Sequence, residues 1–186
     1  MPRANRLAST ATALALASAG LVLGGGAAHA ATAPHALQTA AASCSQAYLP
    51  LPDSSCTPGV TNPDVTPDNI QSTICVSGYS GSIRPPVSYT NALKVQQIAA
   101  YGYSDTNTAD YEEDHFIPLS LGGSPTDPGN LWPQPRYSVN GYTSADKDTV
   151  EFTLYRAVCN GTVDLTSAQN AIATDWTTAA SVLGLG

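Results

Sequence analysis

The chain has 186 residues, a length that suits one domain or two small ones. Only 11% of residues are charged, 7 basic against 14 acidic, while 42% are hydrophobic, which excludes both a basic nucleic-acid module and a disordered polyelectrolyte. The 15 glycines and 14 prolines are spread along the chain and exclude a long coiled coil.

Arg3 and Arg6 precede an apolar stretch from Ala11 to Leu23, which Gly24, Gly25 and Gly26 break. Ala28-His29-Ala30 is a small-x-small cleavage signature, so residues 1–30 read as a secretory signal peptide cut after Ala30. Its apolar part is too short to span a bilayer, and no later stretch is long enough, so no membrane span is expected. Without Arg3 and Arg6 the chain keeps five basic and 14 acidic residues, a net charge of -9. Residues 31–43, mostly Ala and Thr, read as a flexible leader, and 44–186 as one folded domain. His115 is then the one histidine of the folded part.

Cys44, Cys56, Cys75 and Cys159 make an even count, which in an exported chain points to two disulfides. Three pairings are open; the preferred one is Cys44–Cys56 with Cys75–Cys159. Residues 44–69 are crowded with turn formers, and 70–76, with Ile70, Ile74 and Val76, read as a short strand. Gly78, Gly81, Pro85 and Pro86 enforce a loop. Gly78-Tyr79-Ser80-Gly81-Ser82 is close to a serine-hydrolase elbow, but the last Gly and a second histidine are missing.

A helix is predicted from Ser88 to about Tyr101, capped by Ser88 or Thr90. Tyr111 to Leu121 reads as strand and turn, closed by Gly122-Gly123. Asn130-Leu131-Trp132 reads as a second strand stopped by Pro133 and Pro135, and Asn140-Gly141 as a turn. Two further helices follow, from Ser144 or Ala145 to Cys159 with Gly161 past its end, and from an N-cap at Thr166 to about Leu183. Trp132 and Trp176 are assigned to packing.

Reactive groups concentrate in Glu112-Glu113-Asp114-His115, with Asn130 fifteen residues after the histidine. A carboxylate beside an imidazole has a chemical use. The first can hold a divalent cation, and the second can take a proton from water near neutral pH. The cation offsets charge developing on a phosphate. Glu112 and Glu113 are read as a solvated edge. The run Asp114-His115, Ile117-Pro118-Leu119, Gly122-Gly123, Asn130-Leu131 resembles the core of HNH endonucleases, the ββα-metal or His-Me finger nucleases, over about residues 111–160.

That resemblance implies an α+β fold with a ββα-metal core, flanking helices and disulfides. It implies His115 as general base, Asp114 as metal ligand and Asn130 as the asparagine that braces the loop. The family takes a further ligand from the following helix, usually His or Asn. No histidine follows His115 here, so Asn140, Asp148 and Glu151 stand as alternatives for one ligand. Asp146 stands beside them, and Lys147 is a candidate phosphate contact. The expected protein is a secreted, metal-dependent nuclease hydrolysing phosphodiester bonds, with Mg, Mn or Zn as cofactor and DNA ahead of RNA as substrate. The alternative is a noncatalytic secreted binding or cell-envelope protein on the same fold.

Overall fold

Two short strands, the second carrying two prolines, and the helices around them organise the chain. The computed structural model describes residues 43–186. The predicted signal peptide and nearly all of the leader lie outside the described residues. The elements in order are α1 (Tyr79–Ile83), α2 (Val87–Ala100), β1 (Tyr111–His115), β2 (Leu131–Pro135), α3 (Ser144–Cys159), α4 (Leu165–Asp175) and α5 (Ala179–Val182), an α+β arrangement.

β1 and β2 pair antiparallel, with Tyr111 opposite Pro135, Glu113 opposite Pro133 and His115 opposite Leu131. The second strand therefore runs through both prolines instead of stopping at them. Beyond the two ends of the ladder, Phe116 N donates to Asn130 O and Arg136 N donates to Asp110 O. Hydrogen-bonded and non-bonded pairs alternate in an antiparallel ladder. Counting inward from those two bonds puts Pro133 and Pro135 at non-bonded positions, where a missing N–H costs nothing.

Helix α2 clamps the sheet through polar side chains. Lys94 Nζ donates to Tyr111 O at 3.1 Å, and Gln97 Nε2 donates to Leu131 O at 2.7 Å. Each bond satisfies a carbonyl on the outer edge of one strand. The helix starts at Val87 after Pro85-Pro86, one residue before the predicted cap at Ser88.

Helix α3 begins with a capping box. Thr143 N and Oγ1 both donate to Asp146 Oδ2, at 2.8 and 2.7 Å. It ends at Cys159, and Gly161 follows with φ +78°. Its inward stripe at 147, 151, 154 and 158 follows helical spacing but changes character: Leu154 and Val158 enter the apolar core, whereas Lys147 pairs with Asp114 on β1 and with Glu151 on its own helix.

Two expectations are corrected. Residues 70–76 form no strand; Pro67–Ser72 is a 3-10 helix, and Thr66 N donates to Asn69 Oδ1 at its start. Pro67 at the first helical position favours that turn, and Ile74 reaches the core from it. The last predicted helix begins at Leu165 with Asp164, not Thr166, as its cap, and it breaks after Asp175. Asp175 Oδ1 accepts from Thr177 N and Oγ1, a local bond that competes with helix continuation. Trp132 and Trp176 are fully buried, as expected.

Both preferred disulfides are present. Cys44–Cys56 closes a separation of 12 residues and Cys75–Cys159 one of 84. In the chain-entropy account the longer loop contributes about 4.5 kcal/mol and the shorter about 3 kcal/mol. Replacing Cys75 and Cys159 by Ser should therefore lower the urea-derived unfolding free energy more than replacing Cys44 and Cys56. Equal losses would contradict this ranking.

Candidate active site

His115 ends β1, and its ring is buried. Nε2 lies 3.0 Å from Pro125 O. A carbonyl oxygen only accepts, so Nε2 carries the hydrogen and the neutral ring leaves Nδ1 with its lone pair. Burial lowers the His115 pKa below the usual imidazole value; the Pro125 hydrogen bond and the Asp114 charge oppose this shift. The ring is thus neutral, and basic at Nδ1, at neutral pH.

The loop after His115 is held by Asn130, whose side chain is fully buried and saturated. Its Oδ1 accepts from Ile117 N at 3.0 Å and Val60 N at 3.3 Å. Its Nδ2 donates to Ile117 O at 2.9 Å and Ser124 O at 3.0 Å. Gly123 must approach the same place: a Cβ there would sit 1.7 Å from Ile117 O and 2.8 Å from Asn130 Nδ2. The loop that carries Pro125 to the His115 ring therefore closes only around a glycine and an amide.

Asp114 projects to the other face of the sheet, as strand alternation requires. Its Oδ2 accepts from Trp132 Nε1 at 3.0 Å and from Lys147 Nζ at 2.8 Å. Lys147 is completely buried; its ammonium also donates to His115 O at 3.0 Å and to Glu151 Oε1. Burial pulls the Lys147 pKa down, but Asp114 and Glu151 outweigh it and hold it above its ordinary value. Lys147 is thus an internal counter-ion, and the expected phosphate contact is corrected: no phosphate reaches a fully covered ammonium. Burial raises Glu151, against the pull of Lys147.

Glu112, Asp114, His115, Asp148 and Glu151 meet with Arg84 around a polar cavity of about 60 Å³. Of the three alternative ligands, Asp148 and Glu151 line it. Asn140 does not: it sits in a tight turn at φ +53°, and its Nδ2 donates to Leu49 O at 2.7 Å. Asp146 is spent on the α3 cap. Glu112 pairs with Arg136 at 3.0 Å. Asp148 is exposed, its pKa raised by partial burial and by the charge of Asp114. Arg84, exposed on the same cavity, makes no ion pair among the described residues; only its later place in space marks it.

Glu113 is not a solvated edge. Both its carboxyl oxygens are buried without a hydrogen-bond partner among the described residues. Burial pushes its pKa up to about 8, with Lys94 opposing and Asp114 adding. Strand alternation places it on the face of Tyr111 and His115, a signal the sequence contained.

No group of three or more His, Cys, Asp or Glu residues stands ready to hold a metal among the described residues. A hydrated Mg²⁺-type cation needs less, since it keeps waters and uses one or two carboxylates with substrate phosphate oxygens. Asp114 Oδ1, which accepts no hydrogen bond among the described residues, and the exposed carboxylate of Asp148 fit that donor set. No family model, curated protein or solved structure matches this chain.

Lys147→Met would strand two buried carboxylates, a loss of about 3–5 kcal/mol at pH 7. The deficit should shrink at acid pH, where Glu151, its pKa raised by burial, takes up a proton; urea unfolding at pH 4.5 and 7 checks both statements. Glu113 gives an opposite trend in wild type. Its folded pKa is raised from 4.5 to about 8, so the folded state binds the extra proton and stability falls as pH rises between those values. Glu113→Gln should flatten that slope and be the more stable protein at pH 8. An unchanged slope would remove the buried, protonated carboxyl from the account.

Proposed function

We propose that this chain is an exported, metal-dependent nuclease of the HNH type, hydrolysing phosphodiester bonds. The observation that carries the reading is the state of His115: neutral, with Nε2 tied to Pro125 O and Nδ1 left as a base, at the end of a strand beside Asp114. The order β1, β2, α3, with Asn130 immediately before the second strand, supports a ββα core. Two disulfides fit an oxidising compartment, and no helix among the described residues is long and apolar enough to cross a membrane.

In this reading His115 Nδ1 takes a proton from water as the water oxygen attacks phosphorus. The P–O bond to one sugar oxygen breaks, and that oxygen leaves as the alcohol after gaining a proton from solvent water, while the His115 imidazolium returns its proton to solvent. Asp114 with Asp148 would hold a divalent cation, which supplies positive charge to the phosphate oxygens when bound. Arg84 adds a second positive charge at the cavity. Asn130 acts on the His115 loop and touches no substrate. Among the three alternatives Asp148 is favoured, because Glu151 is engaged by Lys147 and Asn140 by Leu49.

The noncatalytic binding protein keeps one observation in its favour: with a net charge of -9 after signal removal, the surface repels a long nucleic acid. Cleavage separates the two. Mature oxidised protein should nick supercoiled plasmid, and DNA ahead of RNA, in Mg²⁺ or Mn²⁺ but not in chelator. His115→Ala should lose about 10²-fold or more. The acid limb of kcat/KM should lie below the ordinary histidine value of 6.5, since the free-enzyme base is depressed. Mg²⁺ should raise the wild-type Tm and not that of Asp114→Asn. A folded wild type that cleaves neither DNA nor RNA with Mg²⁺, Mn²⁺ or Zn²⁺ overturns the nuclease reading.

A further inference from the structure

Beside the His115 cavity lies a larger one, of about 420 Å³, which shares Asp148 and Glu151 with it. One wall is α3, through Phe152 and Tyr155; the other is the segment from Ile74 to Gly81, including Tyr79. The Cys75–Cys159 disulfide joins the two walls covalently and sets their separation. The volume lies in the range of small-ligand pockets.

The lining selects the chemistry of the occupant. Tyr79 and Tyr155 back onto the hydrophobic core, so their rings are supported. Phe152 is 59% exposed, an unusual state for a phenyl ring, and the Arg156 guanidinium lies 5.8 Å from its centroid without lining this cavity. Ser77, Ser80 and Ser120 add hydroxyls. Gly78 and Gly81 leave the wall open, since a Cβ on either meets nothing within 4 Å. The lining carries no basic side chain, and its carboxylates, Asp148 and Glu151, mark the seam with the His115 cavity. Such a site rejects an anion and accepts a flat, uncharged ring with hydrogen-bonding edges.

We propose that this cavity binds an unpaired nucleobase of the substrate strand, stacked against Phe152 with Tyr79 and Tyr155, while the adjoining diester lies at His115 and Arg84. This rests on the nuclease reading and adds a substrate class: strands that offer a base outside a duplex. It also eases the charge problem. With Arg84 the one unpaired cation at the site among the described residues, backbone phosphates supply little affinity, and stacking supplies it instead.

The test measures binding by fluorescence anisotropy, in Mg²⁺, on full mature protein carrying His115→Ala to prevent cleavage. The probes are a labelled single-stranded octanucleotide and the same backbone with abasic residues throughout. Stacking of one base is worth roughly 5- to 150-fold in Kd, so the octanucleotide should bind at least about fivefold tighter than the abasic strand. Adding Phe152→Ala should erase that preference, and Phe152→Trp should restore it; Phe152 is exposed, so neither change threatens the fold. Equal binding of both strands, or a preference that survives Phe152→Ala, overturns the base site. Hydrolysis of bis(p-nitrophenyl) phosphate, which has no base, is read in parallel on protein with and without His115→Ala. His115-dependent hydrolysis with no base preference defeats this inference alone. A Phe152-dependent base preference with no hydrolysis upholds the base site and defeats the nuclease reading.

Discussion

The ammonium of Lys147 is the point on which the site depends. It lies fully buried between Asp114 on β1 and Glu151 on its own helix, and it reaches the backbone carbonyl of His115. One cation thereby joins the strand that ends in the histidine to the helix that faces it. A buried ion pair is seldom a net gain in stability over a well-packed apolar one, because both partners lose their hydration. What it supplies here is registry. The carbonyl bond fixes the His115 backbone, and the bond to Asp114 Oδ2 leaves Oδ1 for other work.

The loop from Phe116 to Asn130 is the second constraint. Asn130 uses both ends of its amide, and Gly123 allows the backbone to pass where any side chain would collide with Ile117. The result brings Pro125 O to the imidazole and so decides which ring nitrogen is the base. A residue with no contact to any reacting atom thus sets the protonation of the one residue that would do the chemistry. The Cys75–Cys159 link then holds the segment carrying Tyr79 against α3, so the larger cavity inherits its width from a covalent bond.

Charge is distributed sparingly. Lys147 is internal, Lys94 donates to Tyr111 O, Arg136 pairs with Glu112 and Arg156 lies beside the Phe152 ring. Arg84 is left facing the His115 cavity. A surface with so few free cations is poorly suited to tracking a duplex; if the proposed base site holds, stacking in the aromatic cavity beside the histidine would supply the affinity instead.

Much of the local structure was legible in the sequence. The α3 limits, Ser144 or Ala145 to Cys159, were expected, with Gly161 marking the end because helix arrest involves neighbours only a few residues apart. The disulfide pairing, the burial of both tryptophans and the grouping of Asp114, His115 and Asn130 were also expected. Other features needed the partner across space. Pro133 and Pro135 are tolerated in β2 through a ladder parity that depends on β1. Lys147 reads as a candidate phosphate contact until the strand packed over it is known, and strand alternation gives the face of Glu113 but not what covers it. Asn140 has the right residue type for a ligand, but its turn directs it to Leu49. Arg84, 31 positions before His115, has no local pattern that would bring it there. The sequence by itself determined the even cysteine count and the preferred pairing, most of the helices and the adjacency of Asp114 and His115. Only the tertiary structure decided which charges are buried, which ring nitrogen is basic and which cavity adjoins it, because burial, ion pairing and pKa depend on what packs opposite a residue.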